Sequence, residues 1–280
     1  MTAIAQISDI HFGSEVEGAA EALLDELNSE SLDLVILSGD LTMAARSDEY
    51  EKARAFIDAL KAPTLSVPGN HDLTPYNLPE RLLVPYRRWR HYVSQEIEPS
   101  WSDGTVSIVG LNTARRMRLR LNWSHGSLSH GQIAALGPRF DALGETPFRI
   151  VVAHHPFLEE DTLELQDRPR VMVKRSEQAL AEFAQENVDL VIAGHLHRTY
   201  TAAYRGSTRR RGRKSGAEAV SDHEVTLLQA GTALSGRTRG ERNSFNRIEV
   251  SDDVLEVHTV ILGDDGWLRA PQPLVRIAKH

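Results

Sequence analysis

The sequence of 280 residues contains no cysteine. This absence excludes disulfide bonds, catalysis by a thiolate and any zinc site with sulfur ligands. It is only weakly informative about the compartment in which the protein works. Any metal site in this chain must therefore be built from oxygen and nitrogen donors.

Long apolar runs and targeting signals are lacking as well. No stretch approaches the roughly 18 consecutive apolar residues of a membrane-spanning helix. The N-terminal MTAIAQISDIHFG has no basic start, no long apolar core and no cleavage site. We therefore expect a cytoplasmic protein without a signal peptide and without an integral membrane segment.

The chain also lacks a strong excess of charge of one sign. It is 41% hydrophobic and 25% charged, with a net charge of −7 and a pI near 6.0. This composition is typical of a globular protein with a substantial core. A mildly acidic protein of this kind is not expected to be a dedicated binder of nucleic acid.

Strand-like and helix-like stretches alternate along most of the chain. Apolar runs predict strands over residues 3–8, 32–37, 65–67, 104–112, 148–156 and 188–197. Helical spacing predicts helices over residues 16–28, 47–60, 79–93, 129–143 and 176–187. This order indicates a parallel sheet with helices on its faces.

After Thr199 the sequence consists of short runs of β-forming residues separated by turn residues. These runs predict antiparallel strands that close a second sheet. We find no linker, and therefore expect a single α/β domain over residues 1–280. Residues 205–216, RGSTRRRGRKSG, are expected to form a basic flexible loop insertion.

Polar side chains that can bind metals follow the ends of the predicted strands. They are Asp9, His11, Asp40, Asn70, His71, His154, His155, His195 and His197. In open α/β sheets, sites form outside the carboxyl ends of the strands. Carboxylate, amide and imidazole donors suit Mn²⁺, Fe²⁺, Co²⁺, Ni²⁺ or Zn²⁺ better than Ca²⁺. These residues offer more ligands than one tetrahedral zinc ion can bind. Their number fits two metal ions that share a carboxylate.

Five short motifs carry these residues: DIH at 9–11, GD at 39–40, GNHD at 69–72, HHP at 154–156 and GHLH at 194–197. GNHD alone is expected by chance at on the order of 10⁻⁶ to 10⁻⁵ of positions. In this order, over residues 4–197, they resemble the calcineurin-like metallophosphoesterases, and in particular the small bacterial class III cyclic nucleotide phosphodiesterases and glycerophosphodiesterases. The resemblance implies an α/β fold in which two mixed β-sheets form a sandwich flanked by helices (α-β-β-α).

The resemblance also implies a set of ligands for two metal ions. It assigns Asp9, His11 and His197 to the first metal, Asn70, His154 and His195 to the second, and Asp40 to a bridge between them. The family pattern places a ligand two residues before proline, which favours His154 over His155. The expected cofactors are two divalent or mixed-valence transition-metal ions (Mn, Fe, Co, Ni or Zn), whose identity the sequence leaves open.

His71 lies beside a predicted ligand and would itself stay uncoordinated. It is therefore the candidate catalytic residue, suited to stabilise charge on the phosphoryl oxygens or to protonate the leaving group. Some family members have an acidic partner for this histidine three positions after the bridging aspartate, and purple acid phosphatases have an iron-binding tyrosine there. This chain has Met43, which argues against an iron–tyrosinate centre and leaves the partner of His71 open. Candidates for outer contacts or substrate contacts are Asp72, Asn112, His125 and His155.

Together these features predict a binuclear metal-dependent hydrolase that cleaves phosphoester bonds. The expected substrate is a small phosphodiester such as a cyclic nucleotide or a glycerophosphodiester, attacked at phosphorus by a hydroxide that bridges the metals. A phosphomonoesterase or a nuclease of the same family is the alternative. A non-catalytic, metal-containing binder of nucleic acid or anionic lipid is the alternative of a different class. The oligomeric state stays open, a homodimer included.

Overall fold

The computed structural model describes residues 1–116, 125–158, 172–211, 218–236 and 240–279. Within these ranges the strands are β1 (Thr2–Ile7), β2 (Leu34–Leu37), β3 (Thr64–Ser66), β4 (Ser100–Ser102), β5 (Val106–Gly110), β6 (Phe148–Val152), β7 (Leu190–Ala193), β8 (Tyr200–Arg211), β9 (Glu218–Gln229), β10 (Ser244–Val250), β11 (Val254–Gly263), β12 (Gly266–Arg269) and β13 (Val275–Ala278). The helices are α1 (Ala19–Ser29), α2 (Ser47–Ala59), α3 (Leu78–Leu83), α4 (Arg87–Tyr92), α5 (His130–Ala134), α6 (Leu136–Leu143) and α7 (Ser176–Gln185). None of the described helices is long and apolar enough to cross a membrane.

The strands form two mixed sheets. The first has the order β12-β11-β10-β1-β2-β3, with β13 paired to β11, and the second has the order β4-β5-β6-β7-β9-β8. In the first sheet β1, β2 and β3 are parallel, with Ile4 opposite Leu34 and Ile36 opposite Leu65. In the second sheet β5, β6 and β7 are parallel. The parallel core of each sheet therefore comes from the alternating strands and helices that the sequence predicts.

Buried apolar side chains hold the two sheets together and attach the helices. One cluster, which includes Ile4, Ile150 and Ile192, lies between the sheets. A second cluster joins the outer face of the first sheet to α1, α2 and α4, and a third joins the second sheet to α6 and α7. Ile4 belongs to the inner cluster and its neighbour Ala5 to an outer one, because successive side chains of a strand point to opposite faces. The predicted α-β-β-α sandwich is confirmed.

Two of the predicted helices are each broken in two. Residues 79–93 form α3 and α4, because Pro85 has no N–H and forces Val84 out of the helical conformation. Residues 129–143 form α5 and α6, with Pro138 in the first turn of α6, where its missing N–H interrupts the hydrogen-bond ladder. Apolar residues keep their helical spacing across both breaks, so this spacing alone does not indicate where the helices are divided.

The strands after residue 199 are arranged differently from the prediction. They do not close a separate second sheet: β8 and β9 extend one sheet, and β10 to β13 extend the other, with β10 antiparallel to β1. The predicted loop at 205–216 is wrong for residues 205–211, which lie in β8, with Arg205 opposite Glu224 of β9. Residues 212–216 lie outside the described residues. Partner choice between strands depends on contacts distant in sequence, which local patterns do not contain.

We expect the substitution Ile150→Ala to lower the free energy of unfolding by about 2–5 kcal/mol, because it leaves a cavity between the sheets. Ile150 is fully buried. Ile261→Ala is a matched control, since Ile261 also lies in a strand but is 38% exposed. Urea titrations of both variants measure the difference. Equal losses would contradict the position of the core.

Candidate metal centre

Polar residues that follow strands of both sheets meet at one edge of the sandwich. Their ligand atoms lie within 4.8 Å of one another in three groups: Asp9, His11 and His197; Asp9, Asp40 and His154; and His154, His155 and His195. The groups share Asp9 and His154 and therefore form one continuous cluster. Six of the seven predicted ligands belong to it, and the structure adds His155 to them.

Asn70, the seventh predicted ligand, lies in the loop that follows β3. The N–H of the next residue, His71, donates a hydrogen bond to Asp40 Oδ1 at 2.8 Å, which brings this loop to the cluster. The side-chain oxygen of Asn70 is buried and has no hydrogen-bond partner among the described residues.

Asp72 holds the GNHD loop in place. Its Oδ2 accepts the N–H of Gly69 at 2.9 Å, and its Oδ1 accepts the N–H and the hydroxyl of Thr42, each at 3.0 Å. Burial, together with the negative charge of Asp40, raises the pKa of Asp72 to about 7. Asp72 thus connects the loop after β2 to the loop after β3.

The carboxylate of Asp9 has one satisfied oxygen and one bare oxygen. Oδ2 accepts hydrogen bonds from the Ser8 hydroxyl at 2.6 Å and from the N–H of His195 at 2.8 Å. Oδ1 is buried without a hydrogen-bond partner and lies 3.3 Å from His197 Nε2. Burial opposes ionisation, but the nearby imidazoles of His197 and His154 hold the pKa of Asp9 well below its usual range. The bare oxygen is therefore anionic and faces imidazoles.

Asp40 lies between the two groups of histidines. Its Oδ2 is 3.2 Å from His154 Nε2 and 3.8 Å from His11 Nε2, while its Oδ1 accepts the N–H of His71. Burial again opposes ionisation, but the charges of His154 and His71 keep the pKa of Asp40 well below its usual range. His11 follows β1 of the first sheet and His154 follows β6 of the second, so Asp40 lies between histidines of both sheets.

The ring orientations of the histidines suit metal binding. His154 Nδ1 donates to the carbonyl of Ser38 at 2.9 Å, which directs Nε2 into the cluster. Burial alone would disfavour its charge, but Asp40 outweighs burial and raises the pKa of His154 to about 9. Burial lowers the pKa of His11 to about 4 and of His195 to about 3, so both rings are neutral and offer a lone pair. A metal ion bound at His154 Nε2 would take the place of the proton on that nitrogen.

The ring of His155 packs against the cluster from one side. Its centroid lies 4.6 Å from that of His195, and its Nδ1 is 2.8 Å from the hydroxyl oxygen of Thr113. Gly126 leaves room for this ring, because a Cβ at Gly126 would lie 2.6 Å from His155 Cγ. His125, the residue before Gly126, is half-buried. The tight packing at Gly126 thus brings the loop of His125 against His155.

The structure gives Asn112 a role within its own loop. Its side-chain N–H donates to the Tyr86 hydroxyl at 2.7 Å, and its oxygen accepts the N–H of Ala114 at 3.1 Å. Its backbone N–H donates to Glu98 Oε1 at 2.9 Å. These contacts stabilise the turn after β5 rather than reach into the metal cluster.

The partner of His71 is the backbone carbonyl of Met43. His71 Nδ1 lies 2.6 Å from that oxygen, so Nδ1–H donates and Nε2 is left for other contacts. The His71 ring is half-buried and stands edge-on to His11, with 4.9 Å between centroids. Every residue type has a carbonyl, so the identity of Met43 gave no signal for this contact.

The backbone of the cluster is strained. Five predicted ligands have a left-handed conformation, with φ between 53° and 78°: Asp9, His11, Asp40, His195 and His197. Such conformations cost about 1–3 kcal/mol each for residues other than glycine, and they are concentrated at functional sites. These backbone conformations allow the loops to direct their side chains into the cluster. No sequence pattern indicates them.

Two motif glycines are required by close approach to the predicted ligands. A Cβ at Gly69 would lie 2.0 Å from Asp40 Oδ1, and a Cβ at Gly39 would lie 2.5 Å from His154 Nδ1. Gly39 also has φ of +94°, which side chains disfavour. Gly69 therefore lets the loops after β2 and β3 pack together, and Gly39 lets the loop after β2 pack against the loop after β6 of the other sheet.

The donor atoms of the cluster fit transition-metal ions. Four of them are buried without a hydrogen-bond partner among the described residues: Asp9 Oδ1, His11 Nδ1, Asn70 Oδ1 and His154 Nε2. Buried polar atoms rarely stay unpaired, and bound cations would satisfy them. The mixture of carboxylate, amide and imidazole suits divalent ions of the first transition row.

Comparison with known proteins identifies the class. Residues 2–199 match the calcineurin-like phosphoesterase family, and the chain belongs to that family. The match covers the region that contains all of the predicted ligands. The protein is therefore a phosphoric ester hydrolase by class, as the motifs predict.

Particular relatives in this family are named as phosphodiesterases. The chain is 29% identical over 212 residues to a protein named "Probable cyclic nucleotide phosphodiesterase" from Synechococcus sp., and the match covers 70% of this chain and 74% of the relative. It is 38% identical over 80 residues to the glycerophosphodiester phosphodiesterase GpdQ of Enterobacter lignolyticus, which covers 25% of this chain and only 29% of that relative.

A solved structure shares the fold. The purple acid phosphatase PPD1 from yellow lupin seeds superposes with a TM-score of 0.62 over 96% of this chain, at 12% sequence identity. The chain spans about half of that enzyme, 52% of its length. At this identity the likeness concerns the fold alone.

We expect Gly69→Ala to disrupt the cluster, because its Cβ would collide with Asp40 Oδ1 and break the bond to the N–H of His71. The measurement is the number of Mn²⁺ ions bound by chelated protein after dialysis against Mn²⁺, together with the melting temperature. We expect lower Mn²⁺ binding than in the wild type. Gly131→Ala is the control, since a Cβ there would find its nearest atom at 3.9 Å. Full Mn²⁺ binding in Gly69→Ala would contradict the role of this glycine.

Proposed function

We propose that the protein is a binuclear metal-dependent phosphodiesterase. Asp9, His11 and His197 would hold one metal ion, Asn70, His154 and His195 would hold the other, and Asp40 would be a ligand of both. Bound metal ions would supply Lewis-acid stabilisation of the phosphoryl oxygens and a hydroxide at neutral pH for attack on phosphorus. Their identity stays open among Mn, Fe, Co, Ni and Zn, and cytoplasmic residence stays a prediction.

The observation that carries this proposal is the position of Asp40. One of its oxygens lies 3.2 Å and 3.8 Å from histidine nitrogens that belong to two different triads of candidate ligands. A structural carboxylate would instead be surrounded by hydrogen-bond donors of the backbone, as Asp72 is. The seven residues of the cluster, together with the buried unpartnered oxygens of Asp9 and Asn70, support a two-metal site best.

His71 is proposed as the general acid. Its Nδ1–H is bound to the carbonyl of Met43, which fixes the ring and leaves Nε2 as the atom that can hold a transferable proton. When the phosphorus–oxygen bond to the leaving alcohol breaks, that oxygen takes the proton from Nε2. The half-buried ring is accessible to a substrate at the cluster, and it lies in the wall of an adjoining cavity.

The proposed substrate class rests on the names of the relatives. Both cyclic nucleotides and glycerophosphodiesters are diesters of small alcohols, so we propose a small phosphodiester as substrate. Monoesters and nucleic acids differ from these in charge and size, and an assay with both ester types separates the possibilities.

The deciding experiment compares a bis-aryl phosphodiester with the corresponding aryl monoester, using chelated protein that is resupplied with Mn²⁺. We expect metal-dependent hydrolysis with the diester preferred. A preference for the monoester would indicate a phosphatase instead, and no turnover with any first-row metal would indicate a non-catalytic binder.

Asp40→Ala should bind no metal pair and lose activity by at least about 10³-fold, as expected for loss of the two-metal site.

His71→Ala should lower kcat by about 10²- to 10⁴-fold, the usual contribution of a positioned general acid. Both metal ions should stay bound, because His71 is not a proposed ligand. Metal stoichiometry by elemental analysis accompanies the kinetics. An aryl diester with a more acidic leaving group should show a smaller loss, since that group needs less protonation. Loss of a metal in this variant would show that His71 is a ligand instead.

A further inference from the structure

A cavity of about 390 Å³ opens beside His71. Its wall includes Met43, Arg46, Asn70, His71, Tyr76 and Arg81. Asn70 and His71 belong to the proposed reaction centre, whereas the other four come from the loops that follow β2 and β3 and from α3. A diester bound at the metal cluster therefore has room for its organic group on this side.

The ring of Tyr76 is the most conspicuous feature of this wall. It is 72% exposed, which is unusual for a large aromatic side chain, and it carries the guanidinium of Arg46 at 5.7 Å from its centroid. An exposed aromatic ring next to a catalytic group provides a flat surface on which another flat group can stack. Arg46 adds positive charge at the same place.

Buried charged side chains hold the loops that carry Tyr76 and Arg46 in place. The buried guanidinium of Arg81 donates to the carbonyls of Leu73 and Thr74 at 2.5 and 3.2 Å, just before Tyr76. The buried carboxylate of Glu49 accepts the N–H of Arg46 at 3.1 Å. The wall is thus preorganised, and these two charged groups are engaged with the backbone rather than with a ligand.

From this geometry we infer that Tyr76 and Arg46 bind the organic group of the substrate and select nucleosides over cationic alcohols. The inference rests on the proposed phosphodiesterase activity. A nucleobase is flat, aromatic and uncharged, so it stacks on Tyr76 without opposing Arg46. Choline and ethanolamine are cations: an aromatic ring alone would attract them, but Arg46 already lies at this ring and repels a second positive charge.

The first test uses adenosine and choline as probes of the cavity, since neither contains phosphate. Each is measured as a competitive inhibitor of aryl diester hydrolysis by the Mn²⁺-loaded protein. We expect adenosine to inhibit and choline to inhibit far less. Tyr76→Leu should weaken inhibition by adenosine roughly tenfold, as expected for the loss of one stacking contact, and Tyr76→Phe should retain it.

Arg46→Gln separates the charge from the ring. It should strengthen inhibition by choline roughly two- to fivefold, because the ring becomes available to a cation. Leu83→Ala is the surface control, since Leu83 is 78% exposed and does not line the cavity. Neither probe should respond to that change.

Unchanged inhibition by adenosine in Tyr76→Leu, or choline binding as tight as adenosine in the wild type, would overturn the inference. Failure of the proposed function has a different signature, because the wild type would then hydrolyse no aryl diester with any metal. In that case calorimetric titration of adenosine into the wild type and Tyr76→Leu replaces the inhibition assay. A tenfold difference in affinity would still support the site, and equal affinities would reject it.

Discussion

The rest of the site depends on the contacts that the carboxylate of Asp40 makes. One oxygen is bound to the backbone of the loop after β3, and the other lies against histidines of both sheets. Because Gly69 and Gly39 have no side chains, the loops can approach this carboxylate closely enough to surround it. The sandwich thus brings its two sheets together around a buried negative charge that only cations can balance.

Such a site is costly for the folded protein. Five left-handed residues, at about 1–3 kcal/mol each, and several bare buried donor atoms are concentrated within a few ångströms. The apolar clusters between and outside the sheets offset this cost. Bound metal ions would stabilise the fold further, because they bind the folded chain and satisfy the bare atoms. Folding would thus be coupled to metal binding.

The proposed reactive groups and the proposed selective groups are separated in this arrangement. The candidate ligands lie at strand ends and are mostly buried, whereas Arg46 and Tyr76 are exposed on loops that Glu49 and Arg81 fix from within. His71 lies at the boundary, oriented by the carbonyl of Met43. A scaffold of this kind can keep its metal chemistry constant while side chains of the outer loops change the substrate.

The sequence by itself determined the family, the layered fold and the residues of the cluster. It could do so because the motifs consist of rare residue types at strand ends, and because the β-α-β alternation shows in the spacing of apolar residues. Only the tertiary structure decided that late strands are shared between both sheets, that residues 205–211 continue β8, and that Pro85 and Pro138 divide two helices. It also revealed the partner of His71 and the pairing of Arg46 with Tyr76. Apart from the proline breaks, which are local, these features depend on backbone atoms and on contacts between distant segments, which leave no local pattern in the chain.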